Sequence, residues 1–304
     1  ARAVPAAPSP AFAASRHMSL VGTLAPWSAG QYSNVGADAT RGVAYLGSWD
    51  EQGVAVIDTR DPAHPILTDH LSTHIHDALR TAAPDGTDGD NSTAHQEETS
   101  DSADLDLVGR YLAVSHQDLT FTGHGFEGIS IYDTGPDPYH PTLLRRIEVP
   151  GGVHTVQIDP EVERGRPYAY ANSAGNYKMT IVNILTGEIL AQYASPKGIG
   201  CVPSWDFCVG FSFAHEGFIQ RHPRSGRVLD YVSFWDTGLQ IVDVTDPRAP
   251  VEVGAFDYDL FKNGGEGQLF DLTEMRRWER DPGTYNYGFM LEAMIARAYA
   301  PAEE

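Results

Sequence analysis

One phrase recurs along the chain. Gly53-Val-Ala-Val-Ile-Asp-Thr-Arg-Asp-Pro-Ala-His-Pro65 returns as Gly128-Ile-Ser-Ile-Tyr-Asp-Thr-Gly-Pro-Asp-Pro-Tyr-His-Pro141 and again as Gly238-Leu-Gln-Ile-Val-Asp-Val-Thr-Asp-Pro-Arg-Ala-Pro250. A degenerate copy, Lys178-Met-Thr-Ile-Val-Asn-Ile-Leu-Thr-Gly-Glu-Ile189, lies between the second and third. A strand, a turn and a second strand repeated at intervals define a repeat architecture, in which neighbouring units bury one another's faces. The turn has a mechanical basis. Asp bonds backbone amides there, while Pro fixes φ and offers no N–H to a ladder, so the phrase ends one strand and starts the next.

Around the first copy the residues divide into four short β-rich runs: Ser33–Asp38, Val43–Ser48, Val54–Asp58 and Ile66–Leu71, each bounded by turn residues. That is the pattern of a four-stranded antiparallel unit. A second unit runs from Ile75 to Glu148, a third from Val153 to Tyr193 and a fourth from Phe213 to Asp257. A weaker fifth unit begins near Gly265 and includes Gln268–Leu272 and Tyr287–Leu291, although Phe289–Ala298 reads equally as a short helix. His17–Leu24 resembles an outermost strand with no inner strands before it. Placed in the last unit, it brings the two termini into one sheet, and closure removes the edges that a row of sheets leaves exposed. The expected fold is all-β: a β-propeller of about five or more four-stranded antiparallel blades, closed by the N-terminal strand. Residues 1–16 form a flexible Ala/Pro-rich segment ahead of a single domain over 17–304. The second unit carries an acidic insertion over 83–103, too poor in apolar residues to fold by itself.

The phrases Val54–Asp58 and Leu239–Asp243, each followed by an Asp-Pro-x-x-Pro turn, resemble the LVIVD-repeat family of extracellular and cell-surface β-propellers. The resemblance covers about residues 18–257. The third copy departs from it, with Asn183 in place of the strand-end Asp and Thr186-Gly187 in place of Asp-Pro. What it implies is a propeller in an exported protein; it implies no single reaction, since a fold alone does not fix an activity.

The 304 residues carry a formal charge of −20, which argues against a nucleic acid as partner because a polyanion would be repelled. There is no run of eighteen apolar residues, so no transmembrane helix is expected. Cys201 and Cys208 stand in one Gly/Pro/aromatic loop. They suit a disulfide in an exported protein and are too few for a zinc site of their own.

Alignment of the units exposes a second pattern. The innermost strands begin Ser33-Asn34-Val35, Ile75-His76-Asp77, Val153-His154-Thr155 and Ala214-His215-Glu216. In a propeller these positions share one depth around the axis, so His76, His154 and His215 are expected to form a partial ring. Neutral imidazoles converging on a polar channel are a transition-metal ligand set, for zinc or copper. His74 lies on the same face of its strand as His76 and is a fourth candidate. Asp77 and Glu216 are placed to orient an imidazole or act as a catalytic base, and Glu266 is the corresponding residue of the weak fifth unit. The opposing reading is structural: a polar residue at a strand start bonds a backbone group of the neighbouring blade without any metal.

Three further features stand out. Trp49-Asp50, His116-Gln117-Asp118 and Trp235-Asp236 follow the second strand of three units, where they pack the turns or form a rim for a sugar or cation. Asp85–Asp90 has calcium-loop spacing without the closing Glu, which favours a solvated loop over a calcium site. Asn91-Ser-Thr93 is a glycosylation sequon. Two functions follow. The first is a binding module at or outside the cell surface, for an extracellular protein, a glycan or a small molecule. The second is a metal-dependent lyase- or oxidase-type enzyme with a His-bound ion in the channel.

Overall fold

The computed structural model describes residues 19–27, 32–48, 53–72, 104–117, 126–173, 176–195, 214–234 and 238–256. Within them the chain forms four antiparallel sheets of four strands each, every sheet built from consecutive strands. The first holds β1 (Tyr32–Asp38), β2 (Val43–Ser48), β3 (Gly53–Asp58) and β4 (Ile66–Ser72). The second holds β5 (Leu105–Val108), β6 (Tyr111–His116), β7 (Gly128–Asp133) and β8 (Thr142–Glu148). The third holds β9 (Thr155–Ile158), β10 (Tyr168–Asn172), β11 (Met179–Asn183) and β12 (Ile189–Tyr193). The fourth holds β13 (Ala214–Arg221), β14 (Val228–Phe234), β15 (Gly238–Asp243) and β16 (Val251–Phe256). The first strands stand side by side, β1 against β5, β5 against β9 and β9 against β13. This is the blade arrangement of a β-propeller.

The repeated phrase is legible in the hydrogen bonds. At the end of each third strand a side-chain oxygen accepts the amide two residues on: Asp58 Oδ1 from Arg60 at 2.9 Å, Asp133 Oδ1 from Gly135 at 2.8 Å, Asp243 Oδ1 from Thr245 at 3.0 Å. The divergent copy does the same, Asn183 Oδ1 accepting from Leu185 at 2.9 Å and Thr186 at 3.1 Å. The Asp of each Asp-Pro pair repeats the device: Asp61, Asp137 and Asp246 accept from Ala63, Tyr139 and Arg248. An oxygen at that spacing is what turns the chain; the charge is not required.

Three apolar layers hold the blades together. Val43, Tyr45, Val54, Val56 and Leu71 pack on Leu105, Leu112 and Val114 between the first two sheets. Ile129, Ile131, Val156, Ala169 and Val182 belong to the second layer, and Met179, Ile181, Val228, Val232 and Phe234 to the third. Each fully buried aliphatic side chain contributes about 1.5–3 kcal/mol. Polar clamps at the rim fix the blades in register. Arg41 donates to Thr134 O at 2.6 Å in the next blade, and Arg166 to Val244 O at 2.8 Å and Thr245 O at 2.9 Å in the next but one pair.

Two expectations are modified. The inner strand of the second sheet is β5, after the acidic insertion, whereas the unit alignment began that strand at Ile75. The insertion displaces the strand start, and Asp104 stands as far ahead of the end of β5 as Asn34 does of β1 and His154 of β9. The described part of the expected closing strand, 19–24, pairs with none of the described strands. Its Gly22 lies against the carbonyls of Pro62 and Ala63, leaving no room for a side chain, so it packs on the first sheet. The sheet it was expected to complete, the fifth unit near 265–291, lies outside the described residues, as do Cys201, Cys208 and the insertion.

Candidate functional site

A first strand has one edge that pairs with its own sheet and one that faces the propeller axis. The groups on the axial edge need partners, and the neighbouring blade supplies several. Asn34 Nδ2 donates to Leu105 O at 3.1 Å. Asp104 Oδ2 accepts Val156 N at 3.0 Å, and Asp106 Oδ2 accepts Ile158 N at 2.7 Å, the alternation of β5 matching that of β9. Thr155 Oγ1 donates to His215 O. These residues do structural work.

His154 and His215 differ from Asn34. Their side chains meet each other: Nε2 of His154 and Nε2 of His215 lie 3.2 Å apart, with ring centroids 4.7 Å apart. On the far side of the first ring, His154 Nδ1 lies 2.8 Å from Gln117 Oε1. A carboxamide oxygen only accepts, so Nδ1 carries the proton and the lone pair of His154 sits on Nε2, facing His215. Burial pushes both imidazoles down to about 4, with the neighbouring ring adding to the effect at His154, so both are neutral at pH 7.

Beside this pair stand acids that no described arginine or lysine pairs with. Glu216 follows His215 on β13. It touches solvent along the wall, yet protein atoms crowd its carboxyl, and that burial, reinforced by Asp104, Asp106 and Asp230, pushes it up to about 8. Gln157 Nε2 donates to Glu216 Oε1. Asn172 Nδ2 donates in turn to Gln157 Oε1 at 2.7 Å and to Thr155 Oγ1 at 3.2 Å. Burial pushes Asp104 and Asp230 each up to about 7, and Asp106 upward as well. The described arginine–carboxylate pairs, Arg41–Asp38, Arg60–Asp58, Arg110–Asp133, Arg166–Asp159, Arg221–Glu161, Arg227–Asp243 and Arg248–Glu188, all leave these four acids aside.

A family model described as LVIVD repeat matches residues 230–258, which take in β15, β16 and most of β14. The chain carries an LVIVD repeat. Its third-strand phrase is the one repeated in β3 and β7, so the LVIVD pattern is the hairpin with its Asp turn seen in those blades. Curated protein sequences give no match to the chain. Solved structures similar to it include a protein from Lactobacillus plantarum, 15% identical with a TM-score of 0.47, covering 73% of this chain and 56% of that one. A dihydro-heme d1 dehydrogenase, NirN, in complex with DHE is 13% identical with a TM-score of 0.44, covering 74% and 38%. A functionally unknown protein from Desulfotomaculum acetoxidans is 11% identical with a TM-score of 0.46, covering 78% and 60%. The chain thus spans less than two thirds of each of these three chains.

Of the residues predicted from the sequence, His154 and His215 meet and Glu216 stands beside them. His74, His76, Asp77 and Glu266 lie outside the described residues. Among the described residues, no group of three or more His, Cys, Asp or Glu is placed to hold a metal. His116 is no rim residue: it is fully buried, its Nε2 2.8 Å from Ser130 Oγ and its ring 5.2 Å from that of Phe126. The packing reading of that turn holds there, while Trp49, Asp50, Asp118, Trp235 and Asp236 lie outside the described residues. Gln117 belongs to the turn feature His116-Gln117-Asp118 and turns out to meet His154, while Gln157, Asn172, Asp104 and Asp230 carry no repeat signal in the sequence. Asp230 had a signal, a lone acid inside the apolar run Val228–Val232.

Proposed function

We propose that the protein is an exported binding module, acting at or outside the cell surface, whose recognition site is the inner wall around His154 and His215, organised by a zinc or copper ion. The approach of the two Nε2 atoms to 3.2 Å carries the reading. Two imidazole nitrogens bound to one tetrahedral zinc, at about 2.05 Å each, lie roughly 3.3 Å apart. The Gln117 contact turns the lone pair of His154 toward that point, as an outer partner of a metal-bound histidine does. Depressed basicity keeps both rings in the ligand form at neutral pH. His76 and His74 are the proposed further donors, and positions left over go to the captured ligand. The LVIVD repeat supports the exported setting, and the charge of −20 suits a soluble surface or a cationic partner. Among the described residues no helix is long and apolar enough to cross a membrane.

A second reading, a metal-dependent enzyme, is favoured by one observation: Glu216 places a carboxyl in the same wall, one residue from His215. A bound Lewis acid next to such a group polarises a carbonyl or activates water, with Glu216 as the catalytic acid or base and Asp77 as the other candidate.

Elemental analysis of the purified chain and of His154→Ala and His215→Ala tests both readings. Wild-type protein is expected to retain about one zinc or copper ion per chain and each variant to lose it while keeping its β-sheet circular dichroism. Metal-free wild type that also fails to take up added zinc would reduce the pair to a hydrogen bond and remove both readings. With metal present, turnover lost in Glu216→Gln separates the enzyme from the binding module.

A further inference from the structure

Two histidines from different blades meet only if their strands are held at one height and one spacing. His154 stands immediately ahead of β9 in the third blade, and His215 is the second residue of β13 in the fourth. Both are tied to a single residue. Asn172 ends β10, opposite Thr155, and is fully buried. Its carbonyl accepts the backbone N–H of His154 at 2.7 Å. Its side-chain Nδ2 donates to Thr155 Oγ1 at 3.2 Å, and the Thr155 hydroxyl donates to the carbonyl of His215. The second hydrogen on Nδ2 goes to Gln157 Oε1 at 2.7 Å, and Gln157 Nε2 donates to Glu216, next to His215. The main chain of Asn172 thus holds one histidine, while its side chain reaches the other by two branches.

We propose that Asn172 is the positioning residue of the His154–His215 pair, a role that rests on reading the two rings as metal ligands. The direction of its two side-chain hydrogen bonds sets the separation at which one ion can bridge the rings. Direction is the reason for an amide at this place. The Thr155 hydroxyl receives a hydrogen from Asn172 and so has its own left for His215. Gln157 receives the other at Oε1 and so turns its N–H groups toward Glu216. A carboxylate at 172 accepts only, and a protonated acid supplies one hydrogen in place of two, so neither sends both branches toward β13. Asn172 Oδ1 is buried without a hydrogen-bond partner, which costs stability. The side chain therefore serves here through its two donors rather than as a fully satisfied packing group. Outer partners of this kind orient the histidines of a metal site. Gln117 acts on the ring of His154, and Asn172 on the backbones of both histidines.

The test compares the full chain with its Asn172→Asp, Thr155→Val and Thr155→Ser variants, each checked for β-sheet circular dichroism. NMR of the metal-free proteins reads the pair directly, because an imidazole N–H held between the two rings is shielded from exchange with water. Zinc affinity is read by competition with a chelator. Asn172→Asp and Thr155→Val are expected to lose the protected imidazole signal and to weaken zinc binding about 10–100-fold. Thr155→Ser keeps the hydroxyl and is expected to retain both. A folded Asn172→Asp with the parent's imidazole signal, and zinc binding no weaker than the parent's, would overturn the role. If Asn172→Asp does not fold, Thr155→Val decides, and a match to the parent in both readouts has the same force. Wild type that binds no zinc would remove the metal-ligand reading alone. The imidazole signals of the metal-free proteins would then still show whether Asn172 sets the pair: their loss in the variants supports the role, and their persistence overturns it.

Discussion

The turn end of each blade and the inner wall treat carboxylates in opposite ways. At the turns, Asp38 is held well below the usual carboxylate range by Thr40 and Arg41, Asp58 is lowered by Arg60, and Asp133 by Arg110. Each accepts backbone amides as well, and the device recurs from blade to blade. On the inner wall Asp104 and Glu216 are raised, as is Asp230 on β14 behind it, burial being the first cause in all three. They do not recur, and among the described residues no arginine pairs with them. The turn acids stabilise the fold in the charged state, whereas the wall acids, as charges, oppose it. Unfavourable acids gathered beside two neutral histidines are the arrangement that the proposed binding wall calls for.

The largest expected effect comes from the acid that crosses between the two regimes. Asp159 is fully buried, yet Arg166 Nε lies 2.9 Å from its Oδ2 and Tyr170 Oη donates to the same oxygen at 3.1 Å. Arg166 goes on to the carbonyls of Val244 and Thr245, so this pair also locks the third blade to the fourth. Asp159→Ala is expected to lower stability by about 3–5 kcal/mol in urea unfolding, because it strands a mostly buried guanidinium. A loss below about 1 kcal/mol would show that the interblade carbonyls alone suffice for Arg166.

The pH dependence of stability distinguishes the two sets by sign. A carboxyl raised in the folded state binds its proton more tightly there, so its contribution favours folding at low pH and is lost as pH rises. For Asp104 the window runs from the unfolded value of 3.8 to about 7. The turn acids act in reverse, stabilising above the unfolded value and losing that contribution as pH falls. Metal-free protein is therefore expected to lose stability from about pH 4 to pH 7, by up to about 1.4 kcal/mol per pH unit for each such group. Asp104 faces Asn34 and the amide of Val156, with Asp106 and Glu216 as the charged groups nearby. Asp104→Asn keeps an oxygen for Val156 and is expected to flatten the slope; an unchanged slope would assign it to the other wall acids.

Smaller again is the loss of one turn. Asp133→Ala removes the acceptor for Gly135 N and the partner of Arg110, and about 1–2 kcal/mol is expected, the hydrogen bond to the amide dominating because Arg110 is half-exposed and screened. The same change at a turn was legible in advance. The run Val43–Ser48 is strand β2 as read, and Ser33–Asp38, Val54–Asp58 and Ile66–Leu71 each fall one residue short of β1, β3 and β4 at one end. Turn chemistry and period-2 runs are local, and local signals survive in a single sequence. The wall was only half legible. His154 and His215 share a strand-start position and were found by alignment, but the second blade failed because its insertion moved the inner strand from Ile75 to Leu105. Gln157, Asn172 and Glu216 come from three strands in two blades, and nothing in their spacing announces that their side chains form one hydrogen-bonded chain.

The divergent third blade gives the finest test of the comparison. If the turns need an oxygen and the adjacent cations are secondary, then Asn183, which already accepts from Leu185 and Thr186, is as good as the Asp of its sister blades. Restoring the repeat with Asn183→Asp keeps both acceptor contacts. It adds a charge near Arg145, whose guanidinium already donates to Leu185 O at 3.0 Å. An exposed pair of this kind is screened by water and salt, so the expected change is within about 0.5 kcal/mol and toward stability. A clear gain of more than about 1 kcal/mol, reduced by high salt, would mean that charge contributes to the turns as much as geometry does. The contrast with the inner wall would then lie in the presence of arginine alone, since both regions would be driven by the same electrostatics with the partner supplied at one and withheld at the other.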